Sequence, residues 1–454
     1  VNNNIFITDF LDSKYREYAL YTLHNRAIPS LSDGLKPVQR RVFWIAKKEA
    51  KDYIKISNLA GQCMKIHPHG NAALEGAIGN MAQDFCGANN ISLLDGKGAF
   101  GCKILGSGKG IGAARYVSVK LSKFAKEVVY KDFDLIEEIP NYDGEYTECK
   151  TFLPLIPLVL LNGVSGIAVG FATEILPFHI SDIIKSQIEI LKKGKIDFDS
   201  LDDVKPFYKG FKGKIIWNPL IEKFETEGVV NKEKDFVRVI ELPIGMNREA
   251  FIKVLDGLIE KEKIRDYEDY SKDEYDFRVF FRSRQLKEIE QPELVKMFRL
   301  TASLNENLTL LDTNDKLKIY DNIFEVIEEF TKWRFKFYKK RYEKLYKDLY
   351  EENDKKEELL RFITFVVKND YVKKMTKLSR EAIRKDLQKD FPRINDMLSL
   401  SISVFTEDNI EDLTGQIKEN KKTLIEYDDI IKDDKKQKDI YIKELKEIDK
   451  EFNK

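Results

Sequence analysis

The sequence predicts an α+β chain of several domains, on three observations. Its 454 residues are long enough for two to four domains. Hydrophobic residues make up 43%, enough for real cores, while 34% charged residues point to large solvated surfaces and long helices. The hydrophobic period also changes along the chain, from helix and loop, to strand alternation, to a sustained helical repeat.

The first domain is expected over 1–125. Its clearest element is "KPVQRRVFWIAKKEA", a helix with Pro37 in the first turn. Val38, Val42, Ile45 and Ala46 share one face, and Arg40, Arg41, Lys47 and Lys48 the opposite one. The second domain, 126–320, is mixed. "KGFKGKIIWNP", "DFVRVIELPIG" and "YDFRVFFRS" alternate as strands, and a helix is expected over 247–262. "FLPLIPLVLLNGVSGIAVGFATEILP" is broken by Pro and Gly and predicts short strands and turns.

The third domain, 321–454, changes character. Ile323, Ile327, Phe330, Phe337, Tyr342, Leu345 and Leu349 repeat at helical spacing. Ile410, Ile417, Leu424, Ile431, Lys438, Leu445 and Phe452 then mark the a positions of a heptad run, with Leu413, Tyr427, Tyr441 and Ile448 among the d positions, a coiled-coil seam with polar interruptions. Two long helices flanking a globular stretch near 358–405 predict an antiparallel pair with a knob at its tip.

Composition narrows the class. No run of about 18 apolar residues is present, so no membrane span is expected. The start, "VNNNIFITDF", has no basic region followed by an apolar one, and so predicts no secretory signal. Cys63, Cys86, Cys102 and Cys149 lie far apart without a CxxC spacing, which fits small buried residues in a reducing compartment. The formal net charge of zero argues against a nucleic-acid partner until its distribution is considered. Between Lys14 and Lys126 there are 18 Lys and Arg against 7 Asp and Glu, a basic region suited to phosphate.

Four stretches in that region bear chemistry: "NRAIPSLSDGLKPVQRR", "HPHG", "LDGKGAFG" and "AARYVSV". Tyr116 follows a glycine-rich approach that lets backbone come close to a ligand, with Arg115 beside it. A phenol of pKa about 10 is a weak nucleophile unless cations stabilise its anion. One Arg-Tyr pair among 20 tyrosines carries little alone. His67 and His69 flank Pro68 and are two of the four histidines. Without Cys or carboxylate partners nearby they do not read as a zinc site, but they suit donation to phosphate oxygens.

In order and spacing, "YALYTLHNRAIPSLSDGLKPVQRR", "HPHG", "MAQDF", "LLDGKGAFG", "AARY" and "NGVSGIAVGFAT" resemble the breakage-reunion subunit of type IIA DNA topoisomerases. That family includes the gyrase A subunit, the topoisomerase IV C subunit and the medium subunit of T-even-type phage topoisomerases; the short length is most like the last. The resemblance covers about 18–180 and extends loosely to "MLSLSISVFTEDNIEDL".

It implies a winged-helix DNA-cleavage domain, a mixed α/β tower domain, and a long antiparallel coiled coil whose tip dimerises as a C-gate. It implies Tyr116 as the nucleophile that holds a 5′-phosphotyrosyl end, with Arg115 stabilising the transition state. Arg26 would contact the scissile phosphate, with His67 and His69 near it. Lys36, Arg40 and Arg41 would hold the duplex backbone, and Ile167 would wedge between base pairs. The implied partners are double-stranded DNA, a second copy of the chain and an ATPase/Toprim subunit. The last of these would bind ATP and hold Mg²⁺ through its carboxylates, since neither a GHKL ATPase nor a Toprim cluster is recognisable here.

A bacterial or phage-infected host cytoplasm is the implied compartment. No DNA-wrapping β-pinwheel follows the coiled coil, so relaxation or decatenation is expected rather than negative supercoiling. A non-catalytic DNA-clamping coiled-coil scaffold is the alternative reading. Two departures stand out. The Asp95–Tyr116 segment is longer and glycine-richer than in the cellular enzymes. Asn71, Ala72 and Gly76 replace the positions that anchor quinolones, so weak quinolone sensitivity is expected.

Overall fold

The computed structural model describes residues 14–67, 70–168, 170–196, 204–282, 286, 289–371, 373 and 377–453, with backbone alone at 402 and 403. The chain divides into two compact units. One comprises the residues up to Arg334 together with those from Ile442 onward; the other runs from Phe335 to Tyr441.

The first unit opens on helix α1 (Arg16–Thr22), which passes into a wider π turn, Leu23–Ala27. Helix α2 (Pro37–Glu49) starts as expected at Pro37, and Gln39 accepts the Lys36 amide at 2.9 Å. Its buried face is Val42, Phe43 and Ala46, while Val38 and Ile45 are only half-buried. The expected basic face is largely absent: Arg40 and Arg41 turn to carboxylates, and Lys47 lies 4.8 and 4.9 Å from the Tyr130 and Phe133 ring centres.

Strand β1 (Ile54–Lys55), α3 (Ile56–Cys63), α4 (Asn71–Met81), β2 (Leu94–Lys97) and β3 (Ser118–Leu121) complete this region. The three strands form an antiparallel sheet ordered β1-β3-β2, with Ile54 opposite Val119 and Leu94 opposite Leu121. Helices packed beside a small sheet give the winged-helix form, and β3 is its central strand.

Hairpin β4 (Glu138–Pro140) and β5 (Thr147–Cys149) leads to a short helix α5 (Leu158–Asn162). The helix departs from the expected strands and turns. Pro157 sets its entry, Leu160 N–H donates to the Pro157 carbonyl at 3.1 Å, and the run Leu158–Leu161 is buried on all sides. Hairpin β6 (Val164–Ile167) and β7 (Ala172–Ile175) follows, then α6 (Ile180–Lys193), which ends on the left-handed Gly194.

Strands β8 (Lys214–Asn218), β9 (Lys223–Glu227), β10 (Val229–Lys232) and β11 (Val237–Glu241) come next. They are followed by α7 (Arg248–Glu260), β12 (Asp266–Asp269), β13 (Phe277–Phe280), α8 (Gln291–Met297) and β14 (Thr301–Ser303). Asn247 caps α7 by accepting the Ala250 amide at 2.9 Å. A four-stranded sheet, β10-β11-β13-β12, places Val237 opposite Val279 and Val239 opposite Phe277. These residues turn the buried face toward Phe251, Leu255 and Phe298. A second sheet is ordered β14-β9-β8. Strands β8, β11 and β13 and helix α7 each fall inside the stretches expected to hold them.

Hairpin β15 (Thr309–Leu311) and β16 (Leu317–Ile319) precedes α9 (Ile323–Lys368), a helix of 46 residues. In the first unit Arg334, fully buried, pairs with Asp132 and donates to the Pro154 carbonyl.

In the second unit, α10 (Arg380–Leu387) and α11 (Ile394–Met397) pack with Phe362, Val366 and Phe391 into a small core. Helix α12 (Glu407–Lys432) runs back antiparallel to α9, with Tyr342 against Tyr427 and Lys421 paired to Glu357 at 3.0 Å. The returning helix, expected as one element over the heptad run, breaks at Asp433, whose backbone is extended, before α13 (Asp434–Phe452). Asp433 Oδ1 accepts the Lys435 amide at 2.8 Å as a new N-cap, and Gln437 Nε2 donates to the Ile431 carbonyl at 3.2 Å and to the Ile430 carbonyl at 2.8 Å, which also accepts the Asp433 amide. Among the described residues no helix is long and apolar enough to cross a membrane.

Candidate active site

The site is built from three groups of residues in the first unit. The first surrounds the tyrosine. Tyr116 sits in the turn that enters β3, with its amide held by the Ala113 carbonyl at 2.8 Å. Lys55, beside β3 on the neighbouring strand, donates to the Tyr116 carbonyl at 2.7 Å. The backbone is thus fixed from two sides while the side chain is 68% exposed. The Arg115 guanidinium lies 4.7 Å from the phenol ring centre, so a cation accompanies the ring on the surface. Core packing does not account for a tyrosine in this position: its ring is largely in solvent, beside Arg115, and its backbone carries the anchoring bonds.

The second group joins the "NRAIP" turn to the β6–β7 hairpin. Gly166 lies so close to Ala27 that an added Cβ would stand 2.3 Å from the Ala27 carbonyl oxygen. Lys36 Nζ donates to the Ser165 carbonyl at 2.7 Å. Burial pulls the Lys36 pKa below its ordinary value, partly offset by Glu174. Arg26 is exposed at the end of the π turn, adjacent to Ala27. At the outer end of β6, Ile167 is 86% exposed. A large apolar side chain held out on a hairpin anchored through its own backbone is not a core strand residue. Lys36, Ser165 and Glu174 also line a cleft of about 620 Å³ together with Lys103, Lys109 and Tyr208.

The third group is polar and mostly covered. Arg41 makes two bonds to Glu148, at 2.5 and 3.1 Å, and its Nη1 lies 2.9 Å from His67 Nδ1. His67 is 3% exposed. Arg40 makes two bonds to the fully buried Asp33, at 2.6 and 2.9 Å. Burial opposes the Arg40 charge, but Asp33 outweighs it and raises the pKa above the ordinary value. Both arginines, read from the sequence as open to a duplex backbone, have carboxylates as their first partners. His69 lies outside the described residues.

The structure therefore brings Arg26, Lys36 and Ile167 together, and Arg115 with Tyr116. Among the described residues no hydrogen bond or ring contact joins Tyr116 to Arg26 or Lys36. Sequence reading missed Lys55, Asp33 and Glu148 as parts of the site. Asp33 stands inside the "SDGLKP" stretch, seven residues before Arg40, and was the most legible of the three. Among the described residues no group of three or more His, Cys, Asp or Glu is placed to hold a metal ion. The four cysteines are free, and burial pushes the Cys63 thiol up to about 12.

Known proteins share both the sequence and the fold. The DNA topoisomerase 2, mitochondrial, of Dictyostelium discoideum is 32% identical over 435 residues, covering 91% of this chain and 33% of that protein. The DNA topoisomerase medium subunit of Enterobacteria phage T4 is 29% identical over 429 residues, covering 91% of each. This chain spans about a third of the Dictyostelium relative and of the Plasmodium falciparum DNA topoisomerase 2 it also matches. The solved DNA-binding, cleavage and re-ligation domain of Plasmodium falciparum topoisomerase II superposes with a TM-score of 0.81 and 27% identity, covering 98% of this chain and 66% of that one. The family model of the DNA gyrase/topoisomerase IV A subunit matches residues 26–446, and the chain belongs to that family.

Proposed function

We propose that this chain is the DNA-cleaving subunit of a type II topoisomerase. The observation that carries the reading is the Arg115–Tyr116 pair, with its side chains outward and its backbone locked by Lys55 and Ala113. The phenol oxygen of Tyr116 attacks a phosphorus of the duplex. A P–O bond to tyrosine forms, the bond to the 3′ oxygen breaks, the phenol proton passes to solvent, and the departing 3′ oxygen takes up a proton. Arg115 offsets the charge that builds on the phosphoryl oxygens. The reverse attack by the 3′ hydroxyl reseals the strand, and the phosphodiester energy is conserved in the link.

Arg26 and Lys36 supply cations beside the hairpin, and Ile167 enters the base stack to bend the segment. Arg40 and Arg41, tied to Asp33 and Glu148, hold the scaffold under the duplex, and through Arg41 they fix His67.

Among the described residues no group of three or more His, Cys, Asp or Glu is placed to hold Mg²⁺, and the roles above are assigned to side chains alone. Two copies of the chain, each cutting one strand, act with a partner that binds ATP and Mg²⁺. The phage relative's name, a medium subunit, supports an assembly of several chains.

The test uses negatively supercoiled plasmid and linked DNA circles, with the assembled enzyme, ATP and Mg²⁺. Relaxation and decatenation by the wild type, and their loss in Tyr116→Phe with duplex binding retained, support the reading. Net introduction of negative supercoils makes it a gyrase instead. Duplex binding without any change of linking number identifies a clamp.

A further inference from the structure

The lengthened glycine-rich segment before Tyr116 follows a defined course. Its ends are zipped: the Gly112 amide donates to the Ala99 carbonyl at 2.9 Å, and Phe100 bridges Ile111. Gln83, fully buried, holds it from within. Its Nε2 donates to the Phe100 and Lys109 carbonyls at 2.9 and 3.1 Å, and its Oε1 accepts the Gly108 amide at 2.8 Å. The two limbs touch so closely that a Cβ on Gly101 would stand 2.2 Å from the Lys109 carbonyl oxygen.

The tip leaves this base and enters the four-stranded sheet. Ile104, 7% exposed, belongs to the apolar core that contains Val239 and Phe277. Lys103 Nζ lies 2.6 Å from Glu241 at the end of β11 and 3.2 Å from Glu274. The Tyr275 hydroxyl donates to the Lys103 carbonyl at 3.3 Å. Glu241 also accepts the Lys212 amide, just before β8, at 3.0 Å and the Leu242 amide at 3.2 Å, so both carboxylate oxygens are held by backbone. The zipped end is then only four residues from Tyr116. A loop that merely covered the helices beneath it would not bury a lysine and an isoleucine in another sheet.

We propose that residues 99–112 act as a strap that transmits the position of the four-stranded sheet to Tyr116, with Lys103 and Glu241 as positioning residues for strand cleavage. The proposal rests on the reading of Tyr116 as nucleophile. Displacing the sheet shifts the strap, and the strap shifts the turn that aims the phenol. A misplacement of about 1 Å is enough to slow a reaction by about a hundredfold.

The test measures, in the assembled enzyme on saturating duplex, the rate at which covalent protein–DNA complex forms, alongside duplex affinity and melting temperature. Lys103→Met/Glu241→Gln removes both charges together and leaves no buried ion unpaired. It is expected to slow covalent-complex formation by about tenfold or more while duplex affinity changes by less than about twofold. Lys103→Arg, which keeps the charge, is expected to restore most of the rate. Ile104→Ala loosens the same tip without altering a charge, and gives the same split should the paired variant fail to fold. Cleavage at the wild-type rate in the paired variant or in a folded Ile104→Ala overturns the strap. So does a loss in which rate and affinity fall together with melting temperature. A wild-type enzyme that forms no adduct on Tyr116 overturns the nucleophile reading itself, and the strap with it.

Discussion

Arg40 donates two hydrogen bonds, at 2.6 and 2.9 Å, to Asp33, a carboxylate with no exposed surface. Asp33 also accepts the amides of Leu35 at 3.0 Å and Phe152 at 3.2 Å, so one side chain ties the start of α2 to the segment after β5. The pair is a structural joint beneath the proposed DNA surface. Removing one partner of a buried pair costs about 3–5 kcal/mol, because the other charge is left stranded. Arg40→Ala is therefore expected to lower unfolding free energy by that amount in denaturant titration. A direct phosphate contact would show instead as a weaker salt dependence of duplex affinity at unchanged stability.

Ile167 gives the opposite pattern. At 86% exposed it contributes little to the free chain, and Ile167→Ala is expected to change stability by less than about 0.5 kcal/mol. The same variant should bend a duplex less, read as a longer distance between dyes at its two ends. Equal bending by both proteins would remove the wedge role.

Asp433 interrupts the returning helix by capping α13 while Gln437 donates to the Ile430 and Ile431 carbonyls behind it. Asp433→Ala is expected to cost about 1 kcal/mol, the usual value of an N-cap. Hydrogen exchange should show faster exchange at the Lys435 and Lys436 amides, with little change in α10. Unchanged protection there would mean that the break needs no cap.

Asn71 donates to Glu75 at 2.7 Å across the first two turns of α4, where the exposed Ala72 and Gly76 carry no polar side-chain atom. A quinolone that needs an acidic or hydroxyl anchor at these positions has none. Titration of covalent-complex yield with such a drug is expected to require far higher concentrations than gyrase does. A response in the gyrase range would show that the anchor lies elsewhere.

Legibility in the sequence followed the range of the interaction. Pro37 and the spacing of Val42 and Ala46 are local, and α2 begins where they predict. The alternations of Val237 with Val239 and of Phe277 with Val279 are also local, and the strands follow them. The partners of Arg41 were not legible, because Glu148 is 107 residues away and nothing in either stretch encodes the approach. Helical spacing placed Arg40 and Arg41 opposite the apolar stripe, but it could not say what faces them. The heptad run hid the break at Asp433, since an aspartate reads as a solvated position until its side chain is seen to cap. The run Leu158–Leu161 is short and uniformly apolar, so periodicity cannot separate helix from strand there.

The central claim is that Tyr116 becomes covalently joined to DNA. The direct measurement is to mix the assembled enzyme with end-labelled duplex and Mg²⁺, quench with detergent, digest, and identify the peptide that carries nucleotide. The account predicts a 5′-phosphotyrosyl link on the peptide containing Arg115 and Tyr116, and none with Tyr116→Phe. A link on a different residue, or an adduct that persists in Tyr116→Phe, would contradict it.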